Sequence, residues 1–249
     1  MKLVWTYDTN SKQLTEKNRT ILLNYYILSI KSAKDLGYWT IIYSNPSMFE
    51  FWIDYVDEVI VINNYENSPL WDSFKIKVLE ERNDDFCLID GDVILHNKLP
   101  DFDNDVVIDS YEIMNWNDEY LPTINKLTEL KISNVIDVWE GKRYYVMSCG
   151  ILYIKTPEIR KMYVNLWKKF NKFIISNLDS IDTYRATAVG AQFLLTLMVN
   201  RNNIRYNTLS KQFGERGEYY QHFFGDKKYI HPLVPTETII TKDFQTKIF

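Results

Sequence analysis

Short apolar runs and amphipathic stretches alternate through the first third of the chain. Residues 3–7 (LVWTY), 39–43 (WTIIY), 59–62 (VIVI) and 86–89 (FCLI) are nearly unbroken apolar runs of strand length. Runs without polar alternation suit strands covered on both faces, as in a parallel sheet. Between the first two, 15–35 carries Ile21, Leu22, Tyr25, Leu28 and Ala33 close to helical spacing, and Gly37 stands where a C-cap belongs. Residues 70–81 read as a second helix. Strands separated by helices predict parallel pairing through right-handed crossovers.

The pattern loosens after residue 100. Residues 106–108 (VVI), 144–147 and 150–154 read as strands, and 115–140 is polar and weakly patterned. Pro157 opens a helix to about Ile175, as proline does at a first helical position. Its apolar residues Tyr163, Leu166, Trp167, Phe170 and Ile174 alternate with Arg160, Lys161, Lys168, Lys169 and Lys172. That suits a core helix with a solvated basic face, the commoner arrangement, or a helix docking weakly on anionic lipid. Residues 189–199 form another apolar helix, and the tail from Asn202 is irregular. No repeat or Pro/Gly/Ser-rich linker divides the chain. The expectation is one α/β domain with a mostly parallel central sheet flanked by helices. About residues 1–100 would form its regular first half and about residues 101–249 its looser second half.

Composition removes several function classes. The 249 residues include only 8 glycines, and neither G-x-G-x-x-G nor G-x-x-x-x-G-K-[ST] occurs. Any bound nucleotide is therefore held without a glycine-rich phosphate loop. A net charge of −4 argues against general nucleic-acid binding. Two distant cysteines, Cys87 and Cys149, fit a reduced intracellular protein or one disulfide, the first being commoner at this length. The short N-terminal apolar run is too brief for a signal peptide, and no run approaches a membrane span. A soluble cytoplasmic protein is expected.

The most informative segment is FCLIDGDVIL. Four apolar residues lead into Asp90-Gly91-Asp92, and the apolar run then resumes. In extended chain, residues two apart point the same way, so both carboxylates can reach one cation. Gly91, without a side chain, would let a ligand approach the backbone. Two carboxylates at the end of a buried strand are costly unless a positive group sits there, and a hard divalent cation, Mn²⁺ or Mg²⁺, fits. D-x-D triplets are common in surface turns. This one interrupts the most apolar strand, at the carboxyl end where open α/β sheets bind ligands.

A second signal lies far downstream. Residues 219–228 (YYQHFFGDKK) contain H-x-x-G-x-x-K, formed by His222, Gly225 and Lys228. A neutral imidazole can join two carboxylates on Mn²⁺, a glycine permits a tight turn, and a lysine offers a cation to phosphate.

Together these residues resemble the GT-A glycosyltransferases, and within them the retaining glycogenin-like and lipopolysaccharide galactosyltransferase family. The resemblance runs from about residue 3 to 230, and its two specific motifs are the acidic triplet and the histidine motif. It implies metal ligation by Asp90, Asp92 and His222, and a diphosphate contact from Lys228 beside Gly225. Ser148-Cys149-Gly150 is similar to the family's N-[AS]-G strand edge beside the donor sugar, with Ser148 in place of Asn. Ala191-Gln192 is similar to its D-Q pair, with Ala191 replacing a carboxylate that contacts donor hydroxyls. Thr6-Tyr7-Asp8 matches the segment that holds the nucleotide base, and Lys75 lies near a basic residue that contacts the donor. The Pro-Trp that often follows the lysine is replaced by Tyr229-Ile230.

The resemblance implies transfer of a sugar from a nucleotide-sugar, a UDP-sugar first, to an acceptor hydroxyl with retention. The acceptor could be a glycan, a lipid-linked sugar or a protein. Gln192 would act as a polar stabiliser under the sugar, and Asp92 and Lys228 would complete the catalytic set. Inversion would instead need a carboxylate base, for which Asp109 is the positional candidate, although a solvated surface role is commoner. Trp5, Trp116, Trp139, Tyr144, Tyr145, Tyr219 and Tyr220 are expected to fill core, and Tyr7 to contact the nucleotide. Two alternatives stand: a sugar-nucleotide nucleotidyltransferase, whose glycine-rich entry loop is missing, and a non-catalytic metal-dependent nucleotide or sugar binder.

Overall fold

The computed structural model describes residues 1–8, 15–113, 120–141, 145–210 and 216–223. In chain order the strands and helices are β1 (Lys2–Tyr7), α1 (Glu16–Asp35), β2 (Trp39–Ser44), α2 (Phe49–Trp52), β3 (Glu58–Val61), α3 (Ser73–Glu81), β4 (Phe86–Ile89), β5 (Val93–Leu95), β6 (Val106–Ile108), β7 (Tyr111–Ile113), α4 (Tyr120–Glu129), β8 (Tyr145–Met147), β9 (Ile151–Ile154), α5 (Pro157–Ile175), α6 (Thr183–Ala188), α7 (Leu194–Arg201), β10 (Tyr206–Thr208) and β11 (Tyr220–His222).

The expected mostly parallel sheet is present. Seven strands run in the order β10-β6-β9-β4-β1-β2-β3. All pairs are parallel except those of β9, which lies antiparallel between β4 and β6. Strands from both halves of the chain therefore share one sheet. Side chains alternate between its faces, as the pleat requires. Leu3, Trp5, Tyr7, Cys87, Ile89, Ile151 and Tyr153 pack with α1 and α2 on one side. Val4, Phe86, Leu88, Leu152 and Ile154 pack with α3, α4, α5 and α7 on the other. Burying each such side chain is worth about 1.5–3 kcal/mol, which is why the apolar runs need no polar face.

Helix boundaries follow their caps. Thr15 accepts the Asn18 N–H at the start of α1, and Gly37 takes φ +81° just beyond its end. Thr156 caps α5 ahead of Pro157 by accepting the Ile159 N–H. The apolar face of α5 is spent in the core through Tyr163, Trp167, Phe170 and Ile174, leaving no such face for a lipid surface.

Three features depart from the pattern-based expectation. Helix α4 occupies part of the stretch expected to be unpatterned, burying Tyr120, Ile124 and Leu127 at helical spacing. Pro122 and the polar residues around it hide that period. The late helix begins at Thr183 and passes through a π-helical turn, Val189–Phe193, before α7. The irregular tail contributes β10 and β11, three residues each. Both cysteines are buried and free. No helix among the described residues is long and apolar enough to cross a membrane.

Candidate metal and donor site

The acidic triplet leaves β4 as a turn and not as extended chain, because Val93 N–H donates to the Asp90 carbonyl at 3.1 Å. The two carboxylates still converge. The turn is anchored from two sides: Asp90 N–H donates to Gly150 O at 2.8 Å, and Ser29 Oγ donates to Asp90 O at 3.3 Å. Ser29 also accepts from Trp5 Nε1 at 2.9 Å, tying β1, α1 and the turn together.

The turn leads into β5, and β5 pairs antiparallel with β11 so that Val93 faces His222. Phe223 N–H closes the pairing on Asp92 O at 2.9 Å. A three-residue ladder thus carries a histidine 130 positions downstream in sequence onto the carboxylates. Ligand atoms of Asp90, Asp92 and His222 all lie within 4.8 Å of one another, with His222 Nε2 3.3 Å from Asp92 Oδ1.

The support behind His222 was not anticipated. Asp109 is fully buried, which corrects its expected solvated or acceptor-side role. Its Oδ2 meets His222 Nδ1 at 2.8 Å and accepts from Ser148 Oγ at 3.1 Å, while Oδ1 accepts Gly150 N–H at 3.2 Å. Its carbonyl accepts from Tyr220 Oη and Ser210 N. A carboxylate on the far nitrogen fixes the ring and turns Nε2 toward Asp92. Burial alone would pull the imidazole pKa down. Hydrogen bonds that the ring donates to Asp109 and Asp92, together with the charges of these carboxylates, outweigh it and carry the pKa up to about 10. The only sequence hint for Asp109 was its place at the end of an apolar run, which parallels the place of Asp90.

Lys75, expected near the donor, is buried on α3, paired with Asp90 Oδ1 and donating to Cys149 O at 3.3 Å. Desolvation lowers its pKa, and the Asp90 charge more than restores it. The positive charge that the acidic pair requires is thus partly supplied by the protein. Ser148, expected beside the donor sugar, is fully buried with its hydroxyl committed to Asp109.

The two motif glycines among the described residues, Gly91 and Gly150, are needed for close approach. A Cβ on Gly150 would sit 2.1 Å from His222 Cε1. On Gly91 it would sit 2.1 Å from the Tyr26 ring, so a side chain and not a ligand fills that space. Tyr26 Oη donates to Thr6 O at 2.8 Å, which brings the Thr6-Tyr7-Asp8 segment against the turn. Tyr7 is buried in edge contacts with Tyr26 and Trp52 at 5.2 and 5.3 Å, and burial pushes its phenol up to about 12. Asp8, half-buried, follows it at the strand end.

The π-helical turn sets Ala191 and Gln192. The Ala191 carbonyl accepts from Tyr163 Oη at 2.5 Å and contacts Cys149 Sγ at 3.3 Å, joining this turn to the Ser148-Cys149-Gly150 segment. Gln192 Oε1 is buried with no hydrogen-bond partner. Such an atom is expensive in a packed protein and common where a ligand completes the bonding. Gly225 and Lys228 lie outside the described residues, as do Trp116 and Tyr144.

A family model described as a family of unknown function, DUF6734, matches residues 53–241. No curated protein sequence matches the chain. Among solved structures, a galactosyltransferase, LgtC, in complex with donor and acceptor sugar analogues aligns over 76% of this chain and 70% of its own, at 14% identity and TM-score 0.43. The glycosyltransferase GlyE of Streptococcus pneumoniae aligns over 84% of this chain and 45% of its own, at 8% identity and TM-score 0.43. Mouse xyloside xylosyltransferase 1 aligns over 84% of each chain, also at 8% identity and TM-score 0.43.

Proposed function

The chain belongs to DUF6734, a family of unknown function, and we propose that it is a metal-dependent glycosyltransferase moving a sugar from a nucleotide-sugar to an acceptor hydroxyl. The observation that carries this reading is the convergence of Asp90, Asp92 and His222 within 4.8 Å at the carboxyl end of central strand β4. Two carboxylates and one imidazole backed by a buried carboxylate suit Mn²⁺ or Mg²⁺. When bound, such a cation stabilises negative charge developing on a nucleoside diphosphate leaving group.

The remaining roles follow from the chain's own groups. Asp109, Ser148 and Gly150 hold the imidazole in register. Lys75 holds Asp90 and adds fixed positive charge beside the diphosphate. Thr6, Tyr7 and Asp8 border the base, and Lys228, three residues after Gly225 in sequence, takes the diphosphate. Gln192 offers its unpartnered oxygen to the sugar. An amide is a poor nucleophile, so retention would proceed on the leaving-group face through an ion-pair-like transition state. A UDP-sugar is the first donor to test.

The test is a panel of nucleotide-sugars with Mn²⁺, reading released nucleoside diphosphate, with Asp92→Ala as control. Metal-dependent release by the wild type alone is expected. No release from any donor overturns the reading. Pyrophosphate release from a nucleoside triphosphate and a sugar phosphate would indicate a nucleotidyltransferase, and tight binding without turnover a non-catalytic binder.

A further inference from the structure

Of the aromatics expected to fill core, Tyr145 is 62% exposed. It is not isolated. Its ring centroid lies 6.0 Å from that of Tyr111, which lies 6.0 Å from Tyr206, itself 38% exposed. The interplanar angles are 60° and 89°, so each outer ring meets the half-buried central one edge-on. The three come from three strands, β7, β8 and β10, and burial with a Tyr206 hydrogen bond raises the Tyr111 phenol pKa. Single exposed aromatics need no explanation, but three converging from distant segments form a preorganised surface.

The cluster adjoins the site. Tyr111 follows Asp109 by two residues, a chain reach of at most ~7 Å. Tyr145 precedes Ser148 by three, and Ser148 N–H donates to Ser110 O at 3.0 Å, stitching the two approaches together.

We propose that Tyr111, Tyr145 and Tyr206 form a saccharide-stacking platform that seats a sugar ring of the acceptor. A pyranose presents an apolar C–H face and a hydroxyl rim, matching the apolar face and polar tip of tyrosine. Three rings are too few for a stable protein interface, which needs about 800 Å² from each partner. Arg205, beside Tyr206, is committed to Asp105 at 3.1 and 3.2 Å, which disfavours an anionic lipid headgroup. Assignment to the acceptor rests on the transferase reading, whereas binding of a sugar ring does not.

The test is saturation-transfer difference NMR of the full chain with maltose, lactose, cellobiose and N,N′-diacetylchitobiose. At least one disaccharide should receive saturation at its ring C–H protons. The signal should weaken about tenfold in affinity in Tyr145→Ala and in Tyr206→Ala, the loss of roughly one aromatic contact, and persist in Tyr184→Ala, another exposed tyrosine. Circular dichroism checks that the variants fold. No signal from any of the four sugars, or a signal unchanged in both platform variants, overturns the proposal. The readout needs no turnover, so failure of the nucleotide-sugar assay would sink the transferase reading and leave this one standing.

Discussion

The two carboxylates of the Asp90-Gly91-Asp92 turn keep different company. Asp90, with a quarter of its side chain exposed, is paired with the ammonium of buried Lys75. Asp92, with an eighth exposed, faces an imidazole that a fully buried Asp109 grips from behind. The first flank carries a permanent charge fixed by helix α3. The second carries a proton that a cation can displace, since a metal takes the neutral ring. On the proposed reading, one flank sets the position of the site, and the other would give up a proton for the cation.

The sharpest way to break this asymmetry is His222→Gln, which keeps an amide for Asp109 but removes the imidazole. Nucleoside diphosphate release should fall by about 10²–10³-fold, the scale of one preorganised electrostatic group, with the fold retained by circular dichroism. Asp109→Asn acts one step back. Its expected effect is a roughly 10–100-fold loss of metal affinity, read by calorimetric titration with Mn²⁺. On the other flank, Lys75→Met should leave metal affinity nearly unchanged or tighter, because it frees Asp90. It should cost about 1.5–3 kcal/mol of stability, the worth of a charge-assisted contact, read by urea unfolding.

The last test concerns Asp72, which borders the Lys75 flank. Burial, opposed by a 3.0 Å hydrogen bond from Trp167 Nε1 and by the Lys75 charge, raises its carboxyl to about 7. An acid raised above its ordinary 3.8 ionises first in the unfolded chain, so stability falls as pH rises from about 4 to 7. Asp72→Asn should flatten that decline in metal-free protein. An unchanged pH profile would show Asp72 ionised in the fold.

The first flank was more legible in the sequence than the second. Unbroken apolar runs marked β1, β2 and β4 because strands buried on both faces leave no polar residues to obscure the period. The acidic triplet stood out against such a run. His222 was found only because it sits in a spaced motif; the ladder that delivers it, β5 with β11, is three residues long and below any periodic signal. Asp109 was invisible as a support because its role depends on His222, Ser148 and Gly150 meeting in space. Gly91 was misjudged for the same reason, since only the fold puts Tyr26 over it. Two tyrosines went opposite ways: Tyr7, expected at a nucleotide, is buried against Tyr26 and Trp52, whereas Tyr145, expected in the core, is exposed on the short β7–β8 ribbon.

The central claim is that Asp90, Asp92 and His222 hold one divalent cation, with the second flank as the exchangeable one. Electron paramagnetic resonance titration of Mn²⁺ into the wild type, Asp92→Ala and Asp109→Asn measures this directly. One bound Mn²⁺ per chain is predicted for the wild type, loss of it in Asp92→Ala, and weakened binding in Asp109→Asn. Equal Mn²⁺ binding by all three proteins, or none by the wild type even with a nucleoside diphosphate present, would contradict the account.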